Sequence, residues 1–197
     1  MYLVSGIALA VIGLPRLHGA AGRPVLSLVM FPVMVVGAGL AGLALTALTA
    51  GKPGIRNLRA QVRWPTQRRW LLVLLIPPVA IVAVLDVLNA FISPNFAPQF
   101  LVYGIAAGVL AGFFEEIGWT GFAYPRMRSR FGALGGALLL GALWALWHLP
   151  VVDSLGAASP HGRYWPELFA SFAAVLIALR VLIAWVYNNT GSLLMAQ

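Results

Sequence analysis

The chain has no cysteine, and only five of its 197 residues are acidic. The first absence removes disulfides, thiolate catalysis and cysteine-ligated metals. The second belongs to a wider shortage, because charged residues make up 9% of the chain, against about 25% in soluble domains. So few charges cannot cover a water-facing surface of this size. Hydrophobic residues reach 61% without counting glycine, which excludes disorder as well. The apolar runs are continuous and do not alternate with polar residues, so they do not describe a transmembrane barrel. What remains is an all-α, polytopic transmembrane helix bundle whose first partner is the lipid bilayer. The net charge of +8 sits in short loops between apolar runs. That pattern orients a membrane protein, and no nucleic-acid partner is expected.

A hydrocarbon core needs about 20 apolar residues in helix. Six spans satisfy or approach this: Tyr2 to Leu14 (short), Val25 to Thr49, Trp70 to about Leu88, about Phe100 to Ala123, about Ala133 to Leu149, and about Leu168 to Val186. A seventh starts at Ser192. No repeat or soluble insertion interrupts them, so residues 1–197 read as one integral membrane domain. Ile55, Leu58 and Val62 share a helical face beside Arg56, Arg59 and Arg63, which suits a short helix on the membrane surface.

Two of the five acids are adjacent and lie inside the fourth span, Glu115 and Glu116. Counted from Tyr124 they lie roughly 13 Å from the end of the helix. A carboxylate at that depth costs several kcal/mol unless it faces protein or a polar cavity, and such residues default to function. The competing reading is a glutamate pair that only hydrogen-bonds two helices together. Two carboxyls this close are expected to share a proton. Gly104, Gly108 and Gly112 precede Glu116 at four-residue intervals, a spacing that lets helices approach closely. The next span carries His148, on one face with Ala137, Gly141 and Trp144. A lone histidine on an apolar helix is usually a satisfied core residue; beside a glutamate pair it becomes a catalytic candidate. Asp86 and Asn89 read as interfacial, and Asp153, His161, Glu167 and His18 fall in outer loops. Arg180 is read as snorkelling to the interface.

The run from Glu115 through Ile117, Gly118, Trp119, Thr120, Gly121, Phe122, Ala123, Tyr124 and Pro125 to Arg126, followed by Trp144-Ala145-Leu146-Trp147-His148, resembles the CAAX protease and bacteriocin-processing family. These are intramembrane endopeptidases related to the type II CAAX prenyl endopeptidases. The resemblance covers about residues 100–197, where Trp185 to Leu194 looks like the approach to the family's last motif. It implies that Glu115 activates the attacking water, that Glu116 is its acidic neighbour, and that His148 is the histidine of the second motif. Three departures stand out. Thr120 occupies a position where the family often has arginine, and Trp144 one where phenylalanine is common. The family's third motif, another histidine with an asparagine or aspartate, does not occur before Gln197, so the peptidase-like core is expected to be incomplete at its C-terminal side.

The expected function is hydrolysis of a peptide bond in a membrane-associated protein or peptide, with a glutamate-activated water. CAAX-box processing and metalloendopeptidase activity come with the resemblance. Glu115 and His148 are the candidate ligands of a divalent metal such as zinc, although a catalytic zinc normally takes three protein ligands. Two other classes stay open: a catalytically inactive, peptidase-like scaffold or immunity protein, and a proton-coupled transporter. The last usually spreads polar groups over several spans or shows an inverted repeat, and this chain shows neither.

Lys52, Arg56, Arg59, Arg63, Arg68 and Arg69 follow the second span, and Arg126, Arg128 and Arg130 follow the fourth. Together they are nine of the thirteen basic residues. Two spans separate these loops, so they lie on one side, expected to be the cytoplasmic face of a multi-pass cell-membrane protein with the site opening toward it. Because the chain is free of cysteine, Arg63→Cys and Arg128→Cys each introduce a single label site. Both should resist a membrane-impermeant maleimide in intact cells and react after permeabilisation. Ready labelling from outside would reverse the orientation.

Overall fold

A computed structural model of the chain describes residues 22–94, 97–98, 102–154 and 165–197. The expected span at 2–14, His18 and His161 lie outside them. Every regular element among the described residues is helical: α1 (Gly22–Ala60), a 3-10 stretch (Arg68–Leu75) leading into α2 (Ile76–Phe91), α3 (Val102–Gly118), a π-helical turn (Trp119–Ala123), α4 (Tyr124–Ser154), α5 (Trp165–Thr190) and the short α6 (Leu193–Ala196). The helical membrane bundle expected from composition is therefore the observed architecture.

Four described stretches are apolar and long enough to cross a bilayer: Pro32–Ala60, Arg68–Phe91, Gly108–Leu149 and Trp165–Thr190. The third has 42 residues. If straight it would run about 63 Å, twice a hydrocarbon core. It is two helices. Gly132, at φ 73° and ψ 175°, breaks α4 internally, a conformation that glycine adopts without a Cβ penalty. The chain reverses there, so that Gly136 packs on the backbone of Met127 and Arg128. The expected fourth and fifth spans are thus separated by a reversal at Gly132. Gly51, at φ 58° and ψ −154°, divides α1 in the same way. The piece beyond it buries Leu58 against Ile117 and Leu193 while Arg56 and Arg59 stay exposed; of the expected apolar face, Val62 is exposed as well.

Pro125 accounts for the π-helical turn. It offers no N–H, and in a regular helix its ring would press on the carbonyl four residues back. The ladder widens instead, and the Tyr124 N–H donates to the Trp119 carbonyl. At the far end of α5, the Gly191 N–H donates 2.8 Å to the Tyr187 carbonyl and closes the helix. Ser192 then caps α6 by accepting the Met195 N–H at 3.2 Å, so a new helix does begin at Ser192.

Helix α1 packs on α3, and α4 on α5. The contacts are backbone-close where glycine permits. A Cβ at Gly42 would lie 2.6 Å from the Gly118 Cα, and one at Gly141 would lie 2.8 Å from the Ile177 Cα. Between these pairs lies an aromatic core of Trp119, Tyr124, Trp144 and Trp147 with Leu140 and Leu176. The 3-10 stretch and α2 bury no residue, as suits a helix with lipid on most sides. Both basic segments meet at one end of the bundle: Arg126 donates to Thr49 Oγ1 at 2.9 Å, Arg128 donates to Asn188 Oδ1 at 2.7 Å, and Tyr187 donates to Gln61 Oε1 at 2.7 Å.

The glycine stripe expected on α3 does not pack as one face, although a Cβ at Gly112 would meet Gln197 at 3.6 Å. A Cβ at Gly108 would meet nothing within 4 Å. Residues four apart on a straight helix drift by about 40° per step, so two steps carry Gly108 away from the face that holds Glu116. The close approach to α1 is made lower down, at Phe114 and Gly118, and the glycines that allow it, Gly39 and Gly42, belong to α1. Gly42→Leu should therefore lower stability by about 1–3 kcal/mol through overpacking, whereas Gly108→Leu should stay within about 0.5 kcal/mol of the wild type. Thermal unfolding of the two variants in the same detergent checks the contrast.

Candidate active site

Adjacent residues on a helix point about 100° apart. Near the end of α3 this separates the two glutamates. Glu115 turns toward α4, where the Trp144 indole N–H donates to its Oε2 at 3.1 Å. Glu116 turns toward α5, where Arg180 Nη1 donates to both carboxylate oxygens, at 2.9 and 2.8 Å. The Thr120 hydroxyl, one turn on in the π-helical turn, also donates to Glu116. It accepts in turn from Arg180 Nη1 at 3.3 Å. Glu116 is 3% exposed and Arg180 0%. Each carboxylate thus has its own hydrogen-bond partner on a different helix.

Arg180 corrects the reading of an interfacial, snorkelling arginine. Helix α5 runs on to Thr190, which places Arg180 about 15 Å from its end. An arginine at that depth stays buried only with a counter-charge, and Glu116 provides it. The guanidinium also lies over the Trp144 ring, with Cζ 4.2 Å from the centroid. Trp144 therefore touches both halves of the site. At a position where phenylalanine is common, it is a hydrogen-bond donor that phenylalanine cannot replace. The signal for Arg180 was available: among the basic residues it alone falls inside one of the expected apolar spans, while Thr120 leaves the glutamates without a local cation.

His148 lies one turn beyond Trp144, with their rings 5.3 Å apart and Phe172 5.7 Å away on the other side. Its Nδ1 is 2.8 Å from the Trp144 carbonyl. A carbonyl only accepts, so Nδ1 carries a proton and Nε2 is the nitrogen left free for a partner.

A cavity of about 410 Å³ adjoins the glutamates. Glu115, Glu116 and Trp144 form its polar end. Its other walls are mostly apolar, from Val73 to Pro78 on one side and Leu179, Leu182, Ile183 and Val186 on the other, with Gln197 a further polar group. It lies among the 3-10 stretch, α2, α3, α5 and α6, Trp144 is the wall residue from α4, and His148 is not among its wall residues.

As donors for a zinc ion, Glu115 and His148 make two. Glu116 is held by Arg180 and Thr120, and among the described residues no group of three metal-ligating side chains occurs. The described residues alone do not fit a three-ligand zinc site.

Residues 97–197 match the family model described as type II CAAX prenyl endopeptidase Rce1-like, slightly more than half of the chain. The chain belongs to this family. It is also 28% identical over 112 residues to CAAX prenyl protease 2 of Methanococcus maripaludis, an alignment covering 53% of this chain and 37% of the relative. The chain thus spans little more than a third of the length of that curated relative. No solved structure matches it. The matched region contains Glu115, Glu116, Thr120, Trp144, His148 and Arg180.

Breaking a buried ion pair from one side costs about 3–5 kcal/mol, whereas replacing both partners by apolar groups is often close to neutral. Glu116→Leu should therefore unfold well below the wild-type temperature in detergent, and Glu116→Leu/Arg180→Met should recover most of the loss. A single variant as stable as the double would show that the pair is not desolvated.

Proposed function

We propose that the protein is an intramembrane endopeptidase that hydrolyses a peptide bond of a membrane-associated protein or peptide, with Glu115 as general base. The observation that carries this reading is the pairing of a half-buried carboxylate, held by one neutral N–H donor at the wall of a cavity, with a histidine one turn from that donor. Membership of the family supports the same chemistry.

In the proposed reaction Glu115 takes a proton from water as the oxygen attacks the scissile carbonyl carbon. The tetrahedral intermediate collapses with cleavage of the C–N bond, and the proton passes to the leaving amine nitrogen, giving a carboxylate and an amine. His148, oriented by its Nδ1 bond, supplies the cationic group for the oxyanion when its Nε2 is protonated. Glu116 does not exchange protons in this scheme, because Arg180 and Thr120 occupy it. The apolar walls of the cavity suit an apolar portion of the substrate, and the polar end receives the peptide bond. The cell membrane is the proposed location, with the site nearer the basic, cytoplasmic end of the bundle.

The full gene product, reconstituted in lipid vesicles with a membrane-anchored peptide, should release cleaved peptide. Glu115→Gln should lose about 10²–10⁴-fold in kcat with its melting temperature kept. Proton uptake by the vesicles without any cleavage would favour a transporter instead.

A further inference from the structure

Arg180 is more deeply buried than either glutamate of known position in the site. It is 0% exposed and is not part of the cavity wall, so it touches neither solvent nor any molecule in the cavity. Its contacts nevertheless join both halves of the site. Nη1 binds Glu116 and Thr120, and the π-face contact fixes Trp144. The indole so fixed is the one whose N–H reaches Glu115.

We propose that Arg180 is a positioning residue for the hydrolytic site, acting on Glu115 through Trp144. This rests on the endopeptidase reading and adds a role for a residue that takes no part in the proton transfers. The geometry divides the work of the guanidinium. All its hydrogen bonds to Glu116 and Thr120 leave from one nitrogen, while Nε and Nη2 have no hydrogen-bond partner among the described residues. A lysine ammonium can replace a single-nitrogen contact. It cannot reproduce a planar group over an indole ring, which is where arginine and lysine differ most. The ion pair alone does not require arginine at this position; the hold on Trp144 does. An indole free to tilt on its own rotamer carries its N–H away from the Glu115 oxygen, and displacement of a catalytic group by about 1 Å can cost about 100-fold in rate.

Arg180→Lys, Trp144→Phe and the double variant, made in the full gene product, test this. Trp144→Phe keeps an aromatic face and removes only the donor. Arg180→Lys should melt within a few degrees of the wild type. It should lower kcat by roughly ten- to a hundred-fold and leave KM within about threefold, because Arg180 does not touch the cavity. Trp144→Phe should lower kcat to a similar extent. The double variant should be no slower than the slower single, since both changes remove one shared link. Wild-type kcat in Arg180→Lys, or losses that multiply in the double variant, would overturn the proposal. Should Arg180→Lys fail to fold, wild-type kcat in Trp144→Phe would overturn it equally. Carbodiimide labelling of Glu115, read by mass spectrometry, gives a measure independent of turnover: it should rise in both single variants. A wild-type protein that cleaves nothing, with this rise still seen in the variants, would sink the endopeptidase reading and leave the hold on Glu115 standing; unchanged labelling would sink the hold itself.

Discussion

The site is organised by one ion pair in a place where ions do not belong. Glu116 and Arg180 are both removed from solvent, and either charge alone there would cost several kcal/mol. Each is tolerable only with the other, so α3 and α5 must present them to one another in every folded molecule. That requirement fixes the rotation of α3 about its axis. A turn of a few tens of degrees would break the contacts from Nη1 to the two carboxylate oxygens. Once the rotation is set, the direction of Glu115 follows, because it lies one residue before Glu116 and about 100° around the same helix.

The rest of the bundle can be understood as what brings these groups into range. Pro125 forces the widened turn that ends α3, and Thr120 sits inside it with its hydroxyl on Glu116. Gly39 and Gly42 let α1 lie against Phe114 and Gly118, immediately beside the glutamates. Gly141 lets α4 lie against α5 near Arg180, and three residues further along α4 Trp144 meets the guanidinium. Small residues thus stand next to the charged ones, because a short reach is what an ion pair in an apolar setting demands.

Glu115, Glu116 and His148 were legible in the sequence because a charged or titratable group in an apolar run is conspicuous against its neighbours. The bundle was legible for the same reason. What sequence reading misplaced depends on three-dimensional facts of a few ångströms. Arg180 was assigned to the interface because the apolar run fades near Val186, whereas the helix continues to Thr190 through polar residues that end it. Trp144 stood out only as an aromatic where phenylalanine is common, because a donor is recognised only when its acceptor is known. The glycines of α3 fitted a packing rule, yet a four-residue repeat does not follow a 3.6-residue helix, and the side of α3 that faces α1 could not be chosen without α1.

Two adjacent glutamates achieve something that one cannot. A carboxylate that must handle a proton needs water and some freedom from strong cations, since a group locked in an ion pair is a poor base. A carboxylate that must hold a helix in register needs the opposite, a dry setting and a tight cation. Successive residues of a helix diverge by about 100°, enough to meet two different partner helices but close enough to move as one body. Glu116 takes the dry partner on α5, while Glu115 takes the neutral indole on α4 at the cavity wall. The cation of the anchor lies over that same indole, so the locked residue also orients the donor of the free one. In the proposed reaction the rigidity of the anchor and the availability of the base are therefore two consequences of a single arrangement.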